Sequence, residues 1–385
     1  MSSQPQVTDF ELSPELQEIQ AMARRFAQVE VKPGAAERDR MQTFPADLIK
    51  RAAELGFLKM SIPTEYGGSG MGSLANCIML EEVNASCAST GVTISVHNSL
   101  FCSPLAKWGS HDQKSRYFPK MVGGEWLGAY CLSEAASGSD AAALVCRATR
   151  DGDNWVLNGP KLWITTGSEA GIYIVFARSG EDRIKGISAF LVERDFEGVS
   201  IGKKERKLGI KASPTTEILL ENVKVPGSNL VGEEGRGFSI ALDTLDGGRL
   251  GIAAQALGIA QASIDLIREH LADQTDARGR PASSQNSQWV LADLCAELDA
   301  YRFLTWRAAI LRDRGESVGP QSAMAKLCSS RLANRAARAA VDLLGLSGTT
   351  DTSAAERLVR DARITEIYEG ASDIQRLVVA RSVLA

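Results

Sequence analysis

The chain has 385 residues, of which 44% are hydrophobic and 23% are charged. These proportions are typical of a globular protein of two or three domains, and they exclude a disordered chain, a collagen and a coiled-coil rod. With 43 basic and 47 acidic residues the net charge is −4, so no chain-wide positive field attracts nucleic acid or anionic lipid.

The seven cysteines and three histidines are too scattered for a disulfide framework or a metal centre. No C-x-x-C pair is present, and no two histidines lie within one helical turn. No apolar run reaches the ~18–20 residues of a membrane span, and the first ten residues resemble neither a secretion signal nor a transit peptide. We therefore expect a cytoplasmic protein with no metal site and with no nucleic-acid or membrane partner.

Residues 13–122 predict a mostly helical unit. Ser13 is a favourable N-cap for a helix that begins at Pro14, with Glu15 in its first turn. Pro33-Gly34 predicts the end of this helix. Later helices are predicted over residues 45–56, 73–88 and 95–109.

From Trp126 to residue 232 the pattern changes to short β-rich pieces. Strands are predicted at 155–158, 172–177, 187–192 and 218–220, and Asp151-Gly152 has the composition of a hairpin turn. Helical patterning returns over residues 236–272, 287–315, 319–345 and 372–384. The sequence thus predicts an α+β protein with an N-terminal helical domain (1–125), a central β-domain (126–232) and a C-terminal helical bundle (233–385).

Two segments of the β-region have residue types that suit a planar ligand. Residues 130–140 concentrate Ser and Gly in a short loop, where the backbone can approach a ligand and hydroxyls can donate hydrogen bonds. Residues 158–167 place Trp163 beside two threonines, and a large flat ring next to hydroxyls suits a heteroaromatic cofactor. Taken alone, the first segment also fits a cluster of β-turns, and the second fits an ordinary core tryptophan.

Two segments of the C-terminal region carry charged groups suited to catalysis or binding. Residues 360–376 end one helix, turn at Gly370 and begin another, with Glu369 at the bend. A carboxylate in an apolar pocket has its pKa raised toward neutrality, which suits a general base; a solvated helix end is the alternative. Residues 245–249 (LDGGR) pair a carboxylate with a guanidinium, and an ion pair that caps a helix is the structural alternative.

In this order and with this domain pattern, the four segments resemble the acyl-CoA dehydrogenase family over residues 10–385, and above all its short-chain (butyryl-CoA) branch. Further stretches that carry the likeness are 88–92, 95–100, 185–192, 253–261 and 362–370. The resemblance implies non-covalently bound FAD and oxidation of an acyl-CoA to the 2-enoyl-CoA. It also implies electron-transfer flavoprotein as electron acceptor and a homo-oligomer, either a dimer or a tetramer.

The resemblance assigns roles residue by residue. It implies cofactor contacts for Tyr130, Cys131, Leu132, Ser133, Ser139, Trp163, Ile164, Thr165, Gln285, Ala371, Ser372 and Asp373. It implies acyl-CoA contacts for Ser139, Asp246, Gly247, Gly248, Arg249, Tyr368 and Gly370. Glu369 corresponds to the catalytic base, which takes the α-proton while the β-hydride passes to flavin N5.

The same resemblance explains how the enolate that develops from the thioester would be stabilised. The family uses the backbone N–H of the residue matched by Glu369 and a ribityl hydroxyl of the flavin. Some branches carry the base on the helix, just before the matched arginine, but here that position is Gly248, which has no side chain. Glu369 is therefore the predicted base.

Positions that hold the adenine–pyrophosphate half of FAD in the family differ here. The family's R-x-x-F-G-x-P stretch becomes TDARGRP at 275–281, so Thr275 replaces the arginine and Arg278 the phenylalanine, and Asp342 replaces a glutamine. Loss of a cation and gain of an acid predict weak FAD binding or a rearranged dimer contact, unless Arg278 or Arg280 supplies a charge from a shifted position. Ala371 and Asp373 also depart from the usual Thr and Glu or Gln.

Two alternative functions stay open at this point. An acyl thioester oxidase or an acyl-carrier-protein dehydrogenase would use the same residues, and oxygen consumption during turnover would identify the oxidase. A flavin-poor structural paralogue is favoured by Thr275 and Asp342 and opposed by the presence of Glu369, Trp163 and Ser139.

Overall fold

Short helices build the N-terminal part of the computed structural model, which describes residues 11–278 and 283–384. The α-helices of this part are α1 (Pro14–Phe26), α2 (Ala35–Met41), α3 (Ala46–Glu54), α4 (Gly72–Ser86), α5 (Ala88–Ser95), α6 (Ser103–Trp108) and α7 (His111–Val122). As the sequence predicts, α1 starts after Ser13, whose hydroxyl accepts the N–H of Leu16.

The predicted helix end at Pro33-Gly34 is wrong, because the chain stays helical from α1 to α2. A π-helical turn (Ala27–Val31) and a 3₁₀ turn (Lys32–Gly34) connect the two helices. Pro33 lies in the first turn of the 3₁₀ segment, where a missing backbone N–H costs little. The proline therefore changes the pitch of the helix without ending it.

The central part is a mixed sheet with eight strands among the described residues. They are β1 (Gly128–Cys131), β2 (Arg147–Asp151), β3 (Asn154–Thr165), β4 (Ile172–Arg178), β5 (Ile187–Glu193), β6 (Val199–Lys204), β7 (Thr215–Pro226) and β8 (Leu230–Val231). The order is β6-β7-β3-β2-β4-β5-β8, and β1 pairs with β4 in parallel. The predicted hairpin is present between β2 and β3, with Gly152 at φ +60°.

Long helices form the C-terminal part. They are α8 (Gly237–Ala272), α9 (Gln285–Asp313), α10 (Gly319–Leu344), α11 (Ala355–Ile364) and α12 (Ser372–Leu384). By length and composition α8 alone, among the helices that the structure describes, could cross a membrane, but 78% of its most apolar stretch is buried inside the protein. It packs against α4, α9 and α10, so it is the central helix of this region.

Close contacts join the two helical parts. A Cβ atom on Gly258 of α8 would lie 2.4 Å from the carbonyl oxygen of Glu81 in α4. At the end of α9, the Asp313 carboxylate accepts the N–H groups of Ser73 (2.6 Å) and Leu74 (3.0 Å) and so caps the start of α4. The predicted order of helices, sheet and helices is confirmed.

The sheet is tied to the C-terminal helices just before the predicted base. Asp361 in α11 is buried and accepts the N–H of Ile210 at 2.5 Å, in the loop that precedes β7. Burial raises the pKa of Asp361 to about 6. This contact fixes the position of α11 relative to the sheet and therefore the turn that follows α11.

Candidate active site

The loop between α11 and α12 presents Glu369 on a strained turn. Glu369 has φ +51° and Gly370 has φ +93°, so two successive residues adopt the left-handed conformation. That conformation costs a glutamate about 1–2 kcal/mol and costs glycine almost nothing. Such strain in a non-glycine residue persists only where surrounding contacts hold it, and it is enriched at functional sites.

The carboxylate of Glu369 is buried more deeply than the rest of the residue. The residue as a whole is half-buried, whereas Oε2 is inaccessible and has no hydrogen-bond partner among the described residues. Burial raises the pKa of Glu369 to about 7, although the nearby charges of Lys326 and Arg249 act to lower it. A carboxyl group that titrates near neutral pH is suited to accept a proton from a bound molecule.

Gly248 of α8 lies directly against this carboxylate. A Cβ atom built on Gly248 would be 2.1 Å from Oε2 of Glu369 and 2.7 Å from Leu100. Any larger residue at position 248 would therefore displace the carboxylate. The glycine provides the room that the Glu369 side chain needs.

The neighbouring turn of α8 carries a buried ion pair. Asp246 Oδ1 and Arg249 Nη1 are 2.6 Å apart, with side chains only 21% and 7% exposed. Arg249 Nε has no partner among the described residues, and burial raises the pKa of Asp246. Gly247 lets Arg312 approach the same turn, since a Cβ there would be 3.0 Å from its guanidinium.

Two tyrosines extend the site around Glu369. The hydroxyl of Tyr130 donates to the carbonyl of Ala241 at 3.3 Å, and the hydroxyl of Tyr368 donates to Gln255. Burial, followed by the charge of Glu369, raises the pKa of both tyrosines. Both phenols therefore stay protonated at neutral pH and serve as neutral walls.

The loop after β1 and the end of β3 lie side by side. The N–H of Leu162 donates to the carbonyl of Ser133 at 2.9 Å, and the pairing of β3 with β7 is irregular between Lys161 and Ile164. In that irregular stretch Trp163 has φ +61° and is 60% exposed. Thr165 is half-buried and Ile164 is buried. The exposed indole and the serine-rich loop thus form a surface suited to stack a planar heteroaromatic ring.

A buried ion pair that sequence reasoning missed supports this surface. Lys161 Nζ is 2.6 Å from Glu134 Oε1, and both side chains are almost fully buried. Lys161 also donates to the carbonyl of Leu132, while Glu134 accepts the N–H groups of Val145 and Cys146. The pair therefore fixes the loop and the end of β3 to one another. A lysine and an acid in β-rich segments give no local signal that they pair.

Sequence reasoning also missed Lys326 of α10 and Gln375 of α12, which contact the turn at Glu369. Lys326 Nζ donates to the carbonyl of Gly370 at 2.7 Å, and Gln375 Nε2 donates to the same oxygen at 2.8 Å. A signal for Lys326 exists, because this lone cation lies among small residues on one helical face, a pattern typical of a buried position.

The other predicted site residues differ in how far the single chain exposes them. Side chains of Gln285, Ser139 and Asp373 are exposed, and so are Thr275, Arg278 and Asp342. Ala371 and Ser372 are half-buried beside the turn, where the Ser372 hydroxyl donates to the carbonyl of Glu366 at 3.4 Å. Cys131 and Leu132 are buried. Arg280 lies outside the described residues.

A metal centre finds no support in the described part of the chain, since no group of three His, Cys, Asp or Glu side chains there is placed to hold an ion. The geometry offers a buried carboxylate with a raised pKa and, on the β-domain, an exposed surface suited to a planar ring.

Comparison with known proteins identifies the family. Models of the acyl-CoA dehydrogenase N-terminal, middle and C-terminal domains match residues 13–125, 129–223 and 235–384. The chain belongs to the acyl-CoA dehydrogenase family. Members of this family are FAD-dependent oxidoreductases that act on CH–CH bonds.

Individual relatives agree with this assignment. The mitochondrial short-chain specific acyl-CoA dehydrogenase of Mus musculus is 47% identical over 97% of this chain and 91% of its own length. The butyryl-CoA dehydrogenase of Megasphaera elsdenii is 36% identical with a TM-score of 0.95, covering 98% of this chain and 100% of that structure. A glutaryl-CoA dehydrogenase from Mycobacterium smegmatis, solved in complex with FADH2, is 31% identical with a TM-score of 0.90, covering 98% of this chain and 96% of that structure.

Proposed function

We propose that this acyl-CoA dehydrogenase oxidises a short-chain acyl-CoA to the 2-enoyl-CoA, with Glu369 as the base. The observation that carries the proposal is the buried, unpartnered Oε2 of Glu369, held on a left-handed turn against Gly248. The resemblance to the butyryl-CoA branch supports a short acyl chain. The proposal includes branched and cyclic short chains.

The α-proton of a thioester is only weakly acidic, so the base needs both a raised pKa and a stabilised enolate. Burial supplies the raised pKa of Glu369. The backbone N–H of Glu369 donates to no acceptor among the described residues, which leaves it free to bind the thioester carbonyl. When bound, FAD supplies the acceptor for the β-hydride at N5.

The residues of the β-domain fit a flavin. We propose that the loop at Tyr130–Ser133 and the exposed ring of Trp163, with Thr165 beside it, bind and orient the isoalloxazine ring. Their fixed arrangement supports this, because the Lys161–Glu134 pair locks the two segments together. Asp246 and Arg249 would bind the acyl-CoA beside Glu369, and Tyr130 and Tyr368 would exclude water from the base.

We also propose that the electrons pass to electron-transfer flavoprotein and that the chain assembles as a homo-oligomer. The exposed positions Thr275 and Arg278 support assembly, because the arginine and phenylalanine that they replace in the family reach FAD across the dimer interface. Oxygen consumption in step with product would identify an acyl thioester oxidase in place of a dehydrogenase. Turnover of an acyl-carrier-protein thioester but not of its CoA counterpart would identify the other alternative.

The deciding experiment is an anaerobic titration of the FAD-loaded protein with butyryl-CoA. We expect the long-wavelength flavin absorbance to bleach, and we expect Glu369→Gln to abolish bleaching without loss of FAD. Glu366→Gln is the matched control, since Glu366 lies on the same loop but pairs with Arg363. Unchanged bleaching in Glu369→Gln would contradict the role of the base. A full flavin complement that no short-chain thioester bleaches would contradict the proposed reaction.

A further inference from the structure

Lys326 of α10 is a buried cation whose contacts concentrate on one turn of the chain. Its side chain is fully buried, and Nζ donates to the carbonyl of Gly370 at 2.7 Å. A buried ammonium loses much of its hydration, and this cost is offset only where the charge has partners. The hydrogen bond that the structure gives this ammonium goes to the residue after Glu369.

Gln375 of α12 completes the arrangement from the other side. It is also fully buried, and Nε2 donates to the carbonyls of Glu369 (3.2 Å) and Gly370 (2.8 Å). These carbonyls lie between α11 and α12, outside any helical hydrogen-bond ladder. A buried carbonyl without a donor is costly. Without Lys326 and Gln375 the turn would combine a left-handed glutamate with carbonyl groups that lack donors, so these two side chains stabilise it.

We propose that Lys326, together with Gln375, is a positioning residue for the predicted base. The two donors hold the left-handed Glu369–Gly370 turn and so fix the direction in which the Glu369 side chain leaves the backbone. This inference rests on the proposed function, in which Glu369 must reach the substrate α-carbon. A shift of about 1 Å in a catalytic group can lower a rate by about a hundredfold.

The charge of Lys326 acts on the same carboxylate. The cations that face Glu369 are Lys326 from α10 and Arg249 from α8, and both act to lower its pKa. The other titratable groups near it are Tyr130 from β1 and Tyr368 from its own loop, and both are neutral at pH 7. Burial lowers the pKa of Lys326 to about 8, so Lys326 is mostly protonated at pH 7 and its loss would remove a positive charge from the base.

Two substitutions separate the hydrogen bond from the charge. Lys326→Met removes both, whereas Lys326→Gln keeps a donor and removes the charge. Arg338→Met on the exposed face of α10 is the matched control. The first readout is amide hydrogen exchange over residues 365–375, which needs neither substrate nor turnover. The second readout is the pH profile of kcat/KM with butyryl-CoA.

For Lys326→Met we expect exchange in this segment to become about tenfold faster and the kinetic pKa to rise by about one unit. For Lys326→Gln we expect nearly unchanged exchange with a raised kinetic pKa. Unchanged exchange and an unchanged profile in Lys326→Met would overturn the proposal. If Lys326→Met fails to fold, two other variants test the proposal. The pH profile of kcat/KM in Lys326→Gln then tests the effect of the charge, and amide hydrogen exchange over residues 365–375 in Gln375→Met tests the hydrogen bonds to the turn. A wild-type protein that shows no activity would contradict the proposed function. The exchange data would still test whether Lys326 and Gln375 hold the Glu369–Gly370 turn.

Discussion

At the scale of single residues, Glu369 is a carboxyl group whose surroundings set both its pKa and its geometry. Burial pushes the pKa upward, and two cations limit the rise to about 7. Its left-handed backbone and the glycine opposite its carboxylate leave the side chain little freedom. The combination is typical of a group that must be charged, desolvated and fixed at once.

The pH dependence of kcat/KM tests this description. Proton abstraction needs the carboxylate, and a raised pKa keeps that group protonated until the pH nears 7. We therefore expect kcat/KM to rise as pH increases through about 7 and to fall about tenfold per unit below it. Steady-state rates with butyryl-CoA across this range measure the profile. A flat profile between about pH 5.5 and 8.5 would show that no group with this pKa is essential.

Replacement of Gly248 tests the contact between α8 and the base. In Gly248→Ala the new methyl carbon would lie 2.1 Å from Oε2, so the carboxylate must move. We expect kcat/KM to fall about a hundredfold, while the fold persists because alanine is a better helix former than glycine.

Gly123→Ala is the control for this substitution. Its new carbon would lie in ordinary contact, 3.7 Å from the carbonyl of Pro119. Activity and melting temperature, measured for both variants, separate displacement of the carboxylate from a loss of fold stability. Wild-type activity in Gly248→Ala would mean that the base does not occupy the space seen here.

At the scale of secondary-structure elements, the predicted flavin surface depends on a pair of charges beneath it. Lys161 in β3 and Glu134 in the loop after β1 are buried and 2.6 Å apart. Removal of one partner leaves the other charge buried and uncompensated, which costs about 3–5 kcal/mol. We therefore expect Lys161→Met to lower the free energy of unfolding by this amount and to loosen the loop at Tyr130–Ser133.

The control for that substitution is Lys203→Met, which removes an exposed partner of Glu205. A surface pair of this kind contributes about 0–1 kcal/mol. Urea unfolding followed by tryptophan fluorescence measures both variants. Equal stability of Lys161→Met and the wild type would contradict the inferred role of the buried pair, whereas partial recovery in Lys161→Met with Glu134→Gln would support it.

Much of the element order follows from local sequence. Local sequence predicts the start of α1 at Ser13, the hairpin at Gly152 and the long helical patterns of α8–α10. Caps, turns and helical periodicity can be predicted because they act over a few residues. The helix end at Pro33 was wrong, since a change to 3₁₀ pitch accommodates the proline. β6 and β8 were missed because β6 is largely exposed without clear alternation and β8 has only two residues.

The candidate site, in contrast, depends on tertiary contacts and not on local sequence. Glu369, Gly248 and Lys326 lie on three elements far apart in the sequence, and no local pattern indicates that they meet. The family resemblance predicted Glu369 and Gly248. The roles of Lys326, Gln375 and the ion pair beneath the predicted flavin surface are visible only from tertiary contacts. The roles of the site residues and the domain boundaries at 125 and 232 stay predictions.

At the scale of the whole molecule, we expect the sheet and the C-terminal helices to hold different halves of FAD. The surface proposed for the flavin ring is assembled within one chain. The positions matched to the adenine half, Thr275, Arg278 and Asp342, are exposed on the C-terminal helices and the connection between them. We infer that the adenine half depends on contact with a second copy.

From this division we expect FAD retention to depend on the assembly. Thr275 lacks the charge that a phosphate prefers, and Asp342 adds a carboxylate that repels it. A hydrogen bond to a charged group contributes about 1.5–3 kcal/mol, which corresponds to about a tenfold to hundredfold change in affinity. We therefore expect the wild-type protein to lose FAD on dilution and gel filtration, and more so as the oligomer dissociates.

Thr275→Arg and Asp342→Gln test which substitution matters, and Thr43→Arg controls for the addition of a cation to an exposed threonine elsewhere. We expect the first two variants to lower the dissociation constant of FAD by about tenfold or more and Thr43→Arg to leave it unchanged. Fluorescence of released FAD, measured with the oligomeric state at each dilution, gives both quantities. Stoichiometric FAD in the diluted wild-type protein would contradict weak binding. A charge supplied by a neighbouring residue of the same segment would then be the expected cause, because Thr275 itself provides none.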